Sequence, residues 1–133
     1  MMDFLFDTNT VSALLKQNKM IAEKVNDVTD KGAKIFLSIV TDYEIQRGLF
    51  AVNATTQLKN YEILRQQYQL LWIDNLEISK TAAEIHADLK QKGQIIQDAD
   101  ILIAATAIVN NLTVVTGDNH FLRISNLKVE NWL

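Results

Sequence analysis

The sequence predicts an α/β fold, a parallel sheet of four to five strands with helices on both faces. Three observations lead to it. Short, uninterrupted apolar runs such as Phe4-Leu5-Phe6 and Thr113-Val114-Val115 recur along the chain, as strands do when both of their faces are buried. Between these runs lie stretches with apolar residues at helical spacing, and strands that alternate with helices pair in parallel through crossovers. The 133 residues, 48% of them hydrophobic and 22% charged, have the length of one ordinary domain and enough apolar side chains to bury a core unaided.

Taken in order, Phe4-Leu5-Phe6 is a first strand that ends at Asp7-Thr8-Asn9, three residues suited to a helix N-terminus. Val11, Leu14 and Leu15 form the stripe of the helix that follows. Residues 21–28 form a second helix closed by Gly32, and Ile35-Phe36-Leu37 is a second strand ending at Ser38. From Thr41 the spacing of Ile45, Leu49 and Val52 is helical, and an amphipathic stretch continues through Leu58, Tyr61, Leu64, Arg65 and Tyr68. Leu71-Trp72-Ile73 reads as a third strand, with Trp72, like Phe121, assigned to the core. Residues 78–92 are helical by Ala82, Ile85 and Leu89 and stop at Gly93. Residues 98–110 are apolar nearly all round, as in a helix buried between layers. Thr113-Val114-Val115 is a fourth strand leading into Thr116-Gly117-Asp118, and Val129 marks a short edge strand.

Composition narrows the function. With no cysteine, disulfides, thiolate zinc sites, iron–sulfur clusters and cysteine nucleophiles are excluded, and a reducing compartment is suitable. An acid follows Met1-Met2 where a secretory leader would carry bases, and no apolar run approaches the roughly 18 residues of a membrane span. A soluble, cytoplasmic protein without membrane attachment is expected. Thirteen basic residues against sixteen acidic give a net charge of −3, without the broad basic footprint of a nucleic-acid clamp. No repeat, low-complexity tract or linker interrupts the chain.

In open parallel sheets, ligands bind at the carboxyl ends of the strands. Asp7, Ser38, Asp74, Thr116 and Asp118 each follow a predicted strand. Glu44 lies one to two turns into the helix after strand two, and Asp100 lies in the first turn of the apolar helix, so Asp7, Glu44, Asp100 and Asp118 can converge at one sheet edge. Crowded carboxylates repel and raise one another's pKa, so such a cluster persists mainly around a divalent cation. Oxygen donors suit Mg2+ or Mn2+; with His and Cys ligands lacking, zinc does not fit. Singly, each acid has a plainer reading: a helix cap at Asp7, a solvated helix face at Glu44, a turn at Asp118. Asp98 reads as the cap of its helix. Two apart on a helix, it cannot face the same ion as Asp100. His86 reads as a surface or boundary residue, and His120 either packs beside Phe121 or approaches a substrate phosphate. Arg47, three residues beyond Glu44, shares its helix face.

These blocks, Phe4 through Asn9, Leu37-Ser38-Ile39-Val40-Thr41-Asp42-Tyr43-Glu44-Ile45-Gln46-Arg47-Gly48, Asp100-Ile101-Leu102-Ile103-Ala104-Ala105-Thr106-Ala107 and Val114 through Phe121, together resemble the PIN-domain nucleases. Within them the likeness is to the short VapC-type toxins of bacterial toxin–antitoxin modules, and it spans essentially the whole chain. The resemblance implies a single PIN-like domain over residues 1–133 and a metal-dependent endoribonuclease. In it, Asp7, Glu44, Asp100 and Asp118 would hold Mg2+ or Mn2+, supported by Thr8, Asn9, Ser38 and Thr116. Arg47 would hold a flanking phosphate. It further implies an RNA substrate cut to 5′ phosphate and 3′ hydroxyl ends, a homodimer, and a cognate antitoxin protein that covers the acidic site. The alternative is a non-catalytic PIN module that binds nucleic acid or a protein partner. A phosphoacceptor receiver domain would use Asp74, but the paired acids after strand one and a lysine near Thr116 are missing. An aspartyl phosphatase would need an acid where Asn9 stands.

Overall fold

The computed structural model describes residues 2–133. The elements run β1 (Phe4–Phe6), α1 (Thr8–Leu15), α2 (Lys19–Asp30), β2 (Ile35–Ser38), α3 (Ile39–Ala51), α4 (Thr55–Gln66), β3 (Gln69–Leu71), α5 (Leu76–Gln91), α6 (Asp98–Val109), β4 (Thr113–Val115), a 3-10 turn (Asn119–Arg123) and β5 (Val129–Glu130). The five strands form one sheet in the order β3-β2-β1-β4-β5, parallel throughout. The predicted α/β architecture and its edge strand at Val129 are present.

Side chains of β1 alternate between two buried layers, as pleating requires. Phe4 and Phe6 join Val11, Ile21, Leu37, Ile45 and Tyr61 under α1 to α4, whereas Leu5 and Val114 meet Ile78, Leu89, Ile103 and Ala104 of α5 and α6. Trp132 folds back beneath the first layer, with its ring edge-on to Phe4 at 4.9 Å and Phe6 at 5.4 Å. Small residues let α6 lie deep between layers: Ala104, Ala105 and Ala107 are fully buried. Two glycines end helices where the sequence places them, Gly32 at φ 92° after α2 and Gly93 at φ 66° after α5.

The third strand differs from its prediction. Pairing runs through Gln69–Leu71, with Ser38 opposite Leu71, so Trp72 and Ile73 fall beyond the sheet and are 58% and 39% exposed. An apolar triplet alone does not set register; as an edge strand, β3 takes its register from its single neighbour β2. Trp72 is therefore a surface residue, and Asp74 is exposed beyond the sheet. Helix α3 starts at Ile39, two residues before Thr41, because the Ser38 hydroxyl accepts the Val40 amide and caps it. Among the described residues, no helix is long and apolar enough to cross a membrane.

The chain builds β1, β2 and β3 outward to one side, then α5 and α6 carry it back so that β4 pairs on the other side of β1. The order of strands reverses between β1 and β4, and the crevice beyond their carboxyl ends is where such sheets bind ligands.

Candidate metal centre

Asp7 leaves β1 into this crevice and is 2% exposed. Its Oδ1 accepts the Thr10 amide at 2.8 Å as the N-cap of α1, while Oδ2 accepts the Thr116 hydroxyl. Capping α1 therefore occupies only one of the two carboxylate oxygens. Burial pushes the Asp7 carboxyl above its ordinary range; the hydrogen bonds from Thr116 and Thr10 oppose this, and the Asp118 charge adds to it. Thr116, also 2% exposed, accepts the Asp118 amide at 2.9 Å through the same hydroxyl. One buried side chain therefore ties β1 to the turn after β4.

Glu44 projects from α3. Its Oε1 accepts the Thr8 hydroxyl at 2.6 Å, and the Thr8 oxygen lies 3.3 Å from that of Thr41. Arg47 Nη2 stands 3.9 Å from Glu44 Oε2, and its guanidinium lies over the Tyr43 ring at 5.2 Å. Asp100 sits in the first turn of α6. Its carboxyl is pushed up to about 6, first by burial and then by the charges of Asp118, Glu44 and Asp7, with His120 opposing. All three other acids are close enough to act on it.

Asp118 caps the 3-10 turn, accepting the His120 amide at 2.9 Å, and His120 Nδ1 lies 3.3 Å from the same Oδ1. One oxygen each of Asp100 and Asp118 and a ring nitrogen of His120 lie within 4.8 Å of one another. The expectation that no histidine ligand is available to the acids does not hold for His120: its nearness to Asp118 follows from sequence, but its nearness to Asp100 comes from the packing of α6 against the turn after β4.

Other expected residues divide. Ser38 is fully buried and acts through the α3 cap, which sets where Glu44 falls. Asn9 is exposed on α1 and forms no side-chain hydrogen bond among the described residues. Asp98 does not cap α6: that position is Gln97, without a side-chain cap bond, and Asp98 is the helix's exposed first residue. His86 is exposed on α5, as expected. Asp42 escaped sequence reasoning. It is 6% exposed and accepts the Tyr61 hydroxyl at 2.7 Å and Gln46 Nε2 at 2.8 Å, with Arg65 at 3.6 Å. Two residues before Glu44, it faces the other way and joins α3 to α4; only the i,i+4 spacing of Asp42 with Gln46 and of Tyr61 with Arg65 hints at it.

The donor set is oxygen-rich and hard, as Mg2+ or Mn2+ requires. Among the described residues, the basic side chains within 4 Å of these acids are those of Arg47, 61% exposed, and His120, 52% exposed. The Asp100 carboxyl is raised first by burial and then by the neighbouring acids, and a divalent ion would neutralise the latter charge.

Comparison with known proteins places the chain among recognisable relatives. The PIN domain family profile matches residues 4–127. A VapC ribonuclease of Pyrococcus furiosus is 33% identical over 119 residues, 88% of this chain and 75% of the relative. Ribonuclease VapC2 of Rickettsia felis is 30% identical over 98% of both chains. The crystal structure of VapBC2 from Rickettsia felis, bound to a DNA fragment from their promoter, superposes with a TM-score of 0.91 at 27% identity, covering 99% of this chain and 100% of that one.

Proposed function

The chain belongs to the PIN-domain family and, within it, to the VapC ribonucleases, and from that premise we propose that it is a metal-dependent endoribonuclease, the toxin of a toxin–antitoxin pair. The observation that carries the reading is the nearness to Asp100 of Asp7, Glu44 and Asp118, from four separate points of the chain, at the crevice between β1 and β4. These four side chains would hold Mg2+ or Mn2+. When bound, the ion supplies charge neutralisation for the scissile phosphate and lowers the pKa of a water enough to make it a nucleophile.

The chain's own residues make this possible by holding the carboxylates in place. Thr116 fixes Asp7 and the Asp118 backbone together. Thr8 holds one oxygen of Glu44, so that the other faces Arg47. Because no side-chain nucleophile is required, binding and orientation of RNA are the remaining tasks. Arg47 stands at the rim of the acidic crevice to hold a flanking phosphate. A groove between α1, α3 and α4, lined in part by Thr8, Ser12, Lys16, Glu44, Gln57 and Asn60, leads away from Glu44 and offers polar contacts to a strand of RNA.

The proposed protein partner is a cognate antitoxin, supported by the VapBC2 complex to which the chain is so similar. A homodimer is supported by the exposed aromatics Tyr43 and Phe50 on α3. Residues 1–133 act as a single domain in this reading, and the protein works in the cytoplasm, in keeping with its lack of cysteine.

Cleavage of total cellular RNA by the purified protein with Mn2+, Mg2+ or EDTA tests the proposal, alongside Asp7→Asn and Asp100→Asn. Discrete fragments that require metal and vanish in both variants are expected, and sequencing their ends identifies the substrate. Unchanged turnover in Asp100→Asn would sink the site. Glu44→Gln should act through metal affinity, so a wild-type titration in that variant removes Glu44 from it.

A further inference from the structure

We propose that His120 is a nitrogen ligand of this site, acting with Asp100 and Asp118, and that it tilts the centre toward Mn2+ over Mg2+. The proposal rests on the metal-dependent reading above and extends it to a residue outside the carboxylate set.

Two geometric observations carry it. First, a ring nitrogen of His120 and one oxygen each of Asp100 and Asp118 lie within 4.8 Å of one another. An ion with bonds of about 2.1 Å needs adjacent donors about 3 Å apart, so small side-chain rotations close the triad. Second, the backbone of residue 120 is held in place. Asp118 caps the 3-10 turn through the His120 amide, and the next residue, Phe121, is 1% exposed in the core. With Phe121 anchored, residues 118 and 120 stay together at the crevice. His120 Nδ1 lies 3.3 Å from Asp118 Oδ1, and among the described residues the ring forms no hydrogen bond that coordination would have to break.

The chemical consequence follows from donor preference. Mg2+ favours hard oxygen ligands and retains its waters, whereas imidazole nitrogen is a good donor to later divalent ions. Three or four carboxylates alone would discriminate weakly between Mg2+ and Mn2+. Adding one nitrogen favours Mn2+.

The chain has two histidines, and His86, exposed on α5, provides the control. Full-length protein stripped with EDTA and loaded with Mn2+ alone is examined by pulsed electron paramagnetic resonance for 14N modulation. Calorimetry measures Mn2+ and Mg2+ binding to the wild type, His120→Gln and His86→Gln. We expect nitrogen coupling in the wild type and His86→Gln and none in His120→Gln. Mn2+ affinity should fall about tenfold or more in His120→Gln, with much less effect on Mg2+. Bound Mn2+ without nitrogen coupling, or with coupling that survives His120→Gln, overturns the role of His120 and leaves the carboxylate site standing. No Mn2+ binding by the wild type overturns both readings.

Discussion

Replacing Asp100 by Asn should stabilise the metal-free protein while abolishing its chemistry. The Asp100 carboxyl is pushed up to about 6 from an ordinary 3.8, which at 1.36 kcal/mol per pH unit corresponds to about 3 kcal/mol of penalty for ionising it in the folded state. The group is only partly buried, and solvent screening reduces this to about 1–2 kcal/mol. The sign follows from proton binding. A carboxyl with a raised folded pKa keeps its proton longer when folded, so the penalty is absent below about pH 4, grows through about pH 4–6 and is complete above that. Asn carries no such charge. Urea unfolding in EDTA should therefore show the two proteins nearly equal at about pH 4, with the variant about 1–2 kcal/mol more stable at about pH 7, a gain of several degrees in Tm. Added Mn2+ should reverse the order. An ion binding only the folded wild type at about 100 times its Kd contributes about 2.7 kcal/mol, and the variant should lose most of this. Equal stability at neutral pH, or a gap independent of pH, would refute the claim that crowded acids strain this site.

Two further substitutions separate the site from its scaffold. Thr116→Val keeps the shape but removes the hydroxyl that joins Asp7 to Asp118, and should cost about 1–3 kcal/mol in urea unfolding and about 10–100-fold in Mn2+ affinity. Thr116→Ser should recover both. Tyr61→Phe leaves one oxygen of the buried Asp42 short of a donor and should likewise cost about 1–3 kcal/mol. Because Asp42 faces α4, Mn2+ titration of this variant should match the wild type; a weakened metal site would show that the α3–α4 link positions Glu44.

Much of the fold was legible locally. Phe4–Phe6 and Thr113–Val115 are strands over the residues predicted, because each is a short apolar run bounded by polar residues that suit a cap or turn. Gly32 and Gly93 end helices as read, since a left-handed residue after a helix is most readily supplied by glycine. The positions of the four acids were also readable, for Asp7 and Asp118 lie just beyond strands, Glu44 in the helix after β2, and Asp100 in the first turn of the buried apolar helix. Trp72 was misread because side-chain type says what a residue favours, not which neighbour will cover it. Asp98 was misread because a cap is decided by one residue of phase, and α6 begins with Asp98 itself rather than after it.

The sequence by itself determined the periodicities, the chain punctuation and the inventory of hard oxygen donors, because these depend on residues within a turn or two of one another. Only the tertiary structure decided how they meet. The return of β4 to the far side of β1 joins Thr116 to Asp7 across 109 residues and lets Asp7 be cap and candidate ligand at once. Helix packing turns Asp42 away from the side of α3 that carries Glu44, and the placement of α6 against the turn after β4 brings Asp100 to His120 and Asp118. Strand order and helix contacts arise from long-range burial and pairing, which no local pattern of side chains encodes.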